Sequence, residues 1–163
     1  MNTVSNMYHD MLHMLHLDEK GVHEHHQTHV TEAVVLFGRV FFAAIFLFSA
    51  PQHFSSQTIE YAAAQGVPLA SFLVPVSGII AFVGALSVLF GFHARIGGWL
   101  LVLFLVPVTL MMHAFWKVDD PGAAQIQMIM FMKNLAMLGG ALLITQFGSG
   151  PLSLDSRHHQ DGY

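Results

Sequence analysis

The sequence predicts an all-α, polytopic membrane protein: an antiparallel bundle of four transmembrane helices. Three observations lead there. Of the 163 residues, 54% are hydrophobic and only 10% are charged, with a mean hydropathy of +0.56. Soluble domains carry about 25% charged residues, so the missing charge points to lipid as the solvent. The apolar residues gather in four runs, each close to the roughly 20 residues that a helix needs to cross about 30 Å of hydrocarbon. The runs are unbroken rather than alternating, which reads as helix.

The first span covers about residues 33–50 and stops at Pro51. The second covers 69–90, is rich in small residues and ends at Gly91. The third covers 95–116, and the fourth covers 123–147, ending before the breaker Gly148-Ser149-Gly150-Pro151. Pro75 and Pro107 fall inside spans, where each frees a backbone carbonyl and favours a kink. Gly78, Ala81, Gly84 and Ala85 in the second span, and Gly139, Gly140 and Ala141 in the fourth, are expected to let helix backbones approach closely. The chain thus divides into a His- and Met-rich tail (1–32), a membrane domain (33–147) and a polar C-terminal tail (148–163). Four spans put both termini on one side. Lys20, Arg95 and Arg157 fall on that side against Lys117 on the other, so the positive-inside rule places the termini in the cytoplasm of a plasma (inner) membrane protein.

Composition also excludes functions. A net charge of −4 with six Lys and Arg offers no basic patch for nucleic acid. The absence of cysteine removes disulfides, thiolate metal sites and thiol relays. The N-terminal residues lack the basic segment and apolar run of a signal peptide, so insertion is assigned to the internal spans. No nucleophile elbow, phosphate loop or HExxH stands in the sequence, which favours an accessory role over an independent enzyme.

Positive charge inside apolar spans is the unusual feature. Arg39 lies about 9 Å from the start of the first span by helical rise, within snorkelling reach of the interface. Lys133 lies roughly 10–15 Å deep in the fourth span. A charge near the bilayer centre costs at least about 2.5–3.5 kcal/mol, so Lys133 is expected to face the bundle interior with a partner. The spans hold no acid. Arg39, Lys133 and Asn134 are therefore read as one polar core, balanced by backbone carbonyls, by a lysine held neutral, by a partner subunit's carboxylate, or by a bound lipid headgroup or quinone. On the opposite face, His53, His113 and Trp116 form an outer polar layer, able to anchor at the interface, relay protons or bind a metal.

Residues 1–32 hold seven of the twelve histidines and four of the ten methionines. As a helix, this tail places His9, His13 and His16 on one face and Met7, Met11 and Met14 opposite. Imidazole and thioether ligands favour copper or nickel; an interfacial amphipathic helix or a disordered tail accounts for the same residues.

Over about residues 35–144 the chain resembles the DoxX family of small four-span bacterial and archaeal membrane proteins. The resemblance rests on Gly38-Arg39, the 46–53 segment, Gly66-Val67-Pro68, the 84–91 segment and His113-Ala114-Phe115-Trp116, followed by Phe131-Met132-Lys133-Asn134-Leu135 and Gly139-Gly140. It implies a four-helix membrane bundle and an accessory subunit of a quinone-linked redox complex with an oxidoreductase partner. Two positions depart from that family: Ala81 stands where many members carry an acid, and His53 where they carry a lysine. A small-anion or solute transporter, acting as a homo-oligomer, and a metal-responsive membrane protein are the alternatives.

Overall fold

A computed structural model describes residues 29–156. These fold entirely as helices and connections, with four helices long and apolar enough to span a bilayer: His29–Phe54, Ala70–Phe90, Ala94–Lys117 and Pro121–Phe147. The predicted spans are all present, with ends shifted by a few residues. Helix α1 occupies residues 29–49 and tightens into a 3-10 turn over Ala50–Phe54. Pro51 therefore does not stop the span, because proline at the start of a helical turn surrenders only an N–H that would have been unpaired anyway. Helix α2 (Ser56–Ala64) is a short element that the hydropathy pattern left as connection. Its N-terminus is closed by Ser55, whose Oγ accepts the Thr58 N–H at 3.3 Å. Ala62 then packs with Ala70 and Val74 in a small satellite core.

Helices α3 (Ala70–Phe90), α4 (Ala94–Met112) and α5 (Pro121–Phe147) complete the bundle, with a 3-10 turn at Phe115–Lys117 before α5. Helix α3 ends because Gly91 adopts φ +62, a left-handed conformation. That turn lets the Gly91 and Phe92 N–H groups return to the Val88 and Ser87 carbonyls at 3.2 and 3.0 Å. Helix α5 begins at Asp120, whose Oδ1 accepts the Ala123 N–H at 2.7 Å, with Pro121 pre-set for the first turn. Both α3 and α4 continue as helix through Pro75 and Pro107.

One core joins all four spans: Ala43 and Phe46 from α1, Ala81, Ala85 and Val88 from α3, Leu101, Phe104 and Leu105 from α4, and Ala141 from α5. Glycine sets the spacing between helices. A side chain at Gly84 would meet the Gly97 carbonyl at 3.0 Å, and one at Gly97 would meet Gly84's at 2.9 Å, so α3 and α4 touch backbone to backbone. Gly98 sits likewise against Ala141 and Thr145 of α5, Gly140 against the Phe42 ring of α1, and Gly78 against His53 and Ala50. Gly139 departs from the expectation: nothing lies within 4 Å of it, because it faces outward from α5.

After α5, residues 148–156 turn back across the end of the bundle instead of leaving it. Asp155 donates its N–H to the Gly91 carbonyl at 2.9 Å, and Ser149 and Ser153 are buried. The return is closed by a reciprocal pair, with the Ser153 N–H donating to Ser156 Oγ at 3.2 Å and the Ser156 N–H to Ser153 Oγ at 3.1 Å.

Candidate functional sites in the membrane domain

The two intramembrane cations are separated, and their burial is the reverse of what depth alone predicts. Arg39 is 5% exposed. It shares the inward stripe of α1 with Ala43, Phe46 and Ala50, a spacing of three and four residues that holds one helix face. Its guanidinium therefore does not snorkel outward. Nη2 donates to the Leu152 carbonyl at 2.6 Å, while Nε and Nη1 are buried without a hydrogen-bond partner among the described residues. Nη1 packs directly on Gly91, at the spot where a glycine is the only residue that fits. Asp155 is near enough to attract the charge, at longer range than a direct ion pair.

Lys133 lies on the outer surface of α5, not in the bundle interior. Its Nζ meets only the Met130 sulfur, at 3.3 Å, and a neutral thioether cannot balance a charge. Asn134, the next residue, turns inward and is 5% exposed. The reason is rotational: one residue advances an α-helix by about 100°, and the buried positions of α5 are Asn134, Ala141 and Thr145. By helical rise Lys133 is about 18 Å from the start of α5 and about 21 Å from its end. Arg39 lies at the level of the α3–α4 turn. The single polar core of Arg39, Lys133 and Asn134 is thus three separate features.

On the opposite face, His53 is half-buried, donating through Nδ1 to the Ser49 carbonyl at 3.1 Å, with its ring edge-on to Phe104 at 5.5 Å. His113 belongs to a different arrangement. Its Nδ1 meets Gln127 Oε1 at 2.8 Å, and Gln127 Nε2 donates on to the Tyr61 hydroxyl at 3.3 Å, tying the α4 end and α5 to α2. Trp116 is exposed and stacks edge-on with Phe115 and Phe131, at 5.1 and 5.8 Å, as an interfacial anchor does. Among the described residues no cluster of three His, Cys, Asp or Glu is placed to hold a metal ion. His9, His13 and His16 lie outside the described residues.

Hydropathy misses Asp155, Ser149 and Gly91 as site residues because they sit in a turn and a polar tail. The available signal is local: Ser153 and Ser156 at capping spacing after a glycine-rich breaker mark a structured return.

Residues 20–160 match the SURF4 family. The chain is 34% identical over 98 residues to inner membrane protein YqjF of Escherichia coli (strain K12), a stretch covering 60% of this chain and 69% of that protein. It is 26% identical over 100 residues to inner membrane protein YphA of the same organism, covering 61% and 71%. No solved structure matches the chain. Four spans and these relatives make it a multi-pass protein of the inner membrane. The DoxX resemblance is overturned by the family match: glycine spacing and cations in four apolar spans are features that separate families of small bundles share. The quinone-linked redox role followed from that resemblance and loses its support with it. The chain belongs to the SURF4 family.

Proposed function

We propose that the chain is an accessory subunit of a membrane assembly, docking through the outer face of α5 against a transmembrane helix of a different protein. That helix carries an aspartate or glutamate near mid-depth. The observation that carries the reading is Lys133: exposed, far from both ends of the helix, and facing only a methionine sulfur. Left against lipid, the charge costs at least about 2.5–3.5 kcal/mol, and a carboxylate opposite is the direct way to offset it.

A second copy of the chain does not supply that carboxylate. Nine of the ten acids lie outside the four spanning helices, and the tenth, Glu32, sits in the first turn of α1 at the membrane edge, far from mid-depth. The surface beside Lys133 suits a helix: Ala136, three residues on, neighbours it on the same face, and Gly139 extends the surface round the helix, both exposed and small enough for close backbone approach. Of the four spans, α5 is also the least buried.

Lys133→Met tests the reading in the native membrane. The expected outcome is a stable, correctly inserted protein that no longer co-purifies with its partner under mild detergent. Undiminished association of Lys133→Met with that partner would refute the role of the charge.

A further inference from the structure

The turn between α3 and α4 holds a second polar site, independent of Lys133 and at another depth. The N–H groups of His93, the N-cap of α4, and of Ala94, its first residue, are not capped by their own turn, since His93 stands at φ +49 with no side-chain cap bond. Asp155, 62 residues away in sequence, takes both. The His93 N–H donates to Oδ1 at 2.8 Å and the Ala94 N–H to Oδ2 at 3.2 Å, while Ser149 Oγ donates to Oδ2 at 3.4 Å. Near this half-buried carboxylate stands the Arg39 guanidinium, itself 5% exposed, with Nε and Nη1 unpartnered among the described residues. Nη1 lies against Gly91, where Ser149 and Ser153 also converge.

Two backbone N–H groups at the positive end of a 19-residue helix, a serine hydroxyl and an arginine form a donor set suited to a tetrahedral phosphate oxyanion. An N-cap accounts for Asp155. It does not account for a buried arginine that spends one nitrogen on a carbonyl and leaves two idle, because a desolvated guanidinium calls for anionic acceptors.

We infer that Arg39, the α4 N-terminus and Ser149 form a phosphate-binding site, and that Asp155 occupies it as an internal substitute carried on the 148–156 return. A phosphate group, of a lipid headgroup or free in solution, binds by displacing the carboxylate. The site lies at a membrane-facing end of the bundle, where both sources are present.

The full chain in maltoside detergent free of phospholipid is the material for the test. Inorganic phosphate is titrated calorimetrically, and phosphatidylglycerol is added in a native mass-spectrometry arm. Asp155→Ala is expected to raise phosphate affinity by roughly tenfold or more over the unaltered chain, and Arg39→Gln in that background to abolish the gain. Retained phosphatidylglycerol that competes with inorganic phosphate assigns the site to lipid; phosphate binding without such competition assigns it to the free anion. Asp155→Asn keeps an oxygen for the His93 N–H, so it preserves the fold if Asp155→Ala does not, and it is expected to show a smaller, Arg39-dependent gain. No gain in the folded variants, or a gain that survives Arg39→Gln, overturns the inference and leaves Asp155 as a cap alone.

Discussion

Two cations at different depths of one bundle meet different surroundings because a side chain's fate in a helix depends on phase as much as depth. Arg39 falls in register with Ala43, Phe46 and Ala50, whereas Lys133 lies one residue out of register with Asn134, Ala141 and Thr145. The anomaly of each charge is legible in the sequence. The direction of each is not, because α5 is apolar on every side and its rotation is fixed by the helices it packs against. For α1 the small residues at 43 and 50 mark the inward stripe, and Arg39 could have been placed by them. Arg39→Gln is expected to lower stability by about 1–3 kcal/mol, as the Leu152 carbonyl loses a charged donor inside the protein. Unfolding in detergent monitored by circular dichroism measures it, and Arg39→Lys is expected to recover only part of the loss, since an ammonium lacks the planar fork.

The spans were readable from length and hydropathy because lipid sets a fixed requirement that four segments meet. The return of residues 148–156 and helix α2 were not, because each is stabilised by tertiary contacts: Asp155 with the α4 N-terminus, and Ala62 with Ala70 and Val74. The glycines divide the same way. Gly97→Leu would drive a side chain into Ser87 and the Gly84 carbonyl; overpacking of this kind costs about 1–3 kcal/mol, and a drop in the thermal midpoint is expected. Gly139→Leu, facing open space, is expected to leave that midpoint unchanged in the isolated protein while weakening association through α5. A lowered midpoint for Gly139→Leu would show that this face is packed within the chain.

At the scale of the molecule, four antiparallel spans put the α3–α4 turn, the start of α1 and the 148–156 return at one face, and α2 with the Phe115–Lys117 turn at the other. The distribution of Lys20, Arg95 and Arg157 against Lys117 predicts that the first face is cytoplasmic. The chain has no cysteine, so single replacements report cleanly. Gln57→Cys in α2 is expected to react with a membrane-impermeant maleimide in intact cells, and Phe92→Cys only after permeabilisation; the opposite pattern inverts the topology. Fold class and membrane location were legible because composition fixes the solvent. Family was not, because four apolar spans with glycine and a few cations describe many bundles.

A charge exchange asks whether Lys133 meets a carboxylate of another protein within the bilayer. A photo-crosslinker placed at Ala136 identifies the neighbouring helix and its acid in native membranes. Lys133→Glu is then combined with replacement of that acid by lysine. Each single change is expected to abolish co-purification, and the two together to restore it. Crosslinking only to lipid or to another copy of this chain, or association indifferent to both charges, would contradict the pairing.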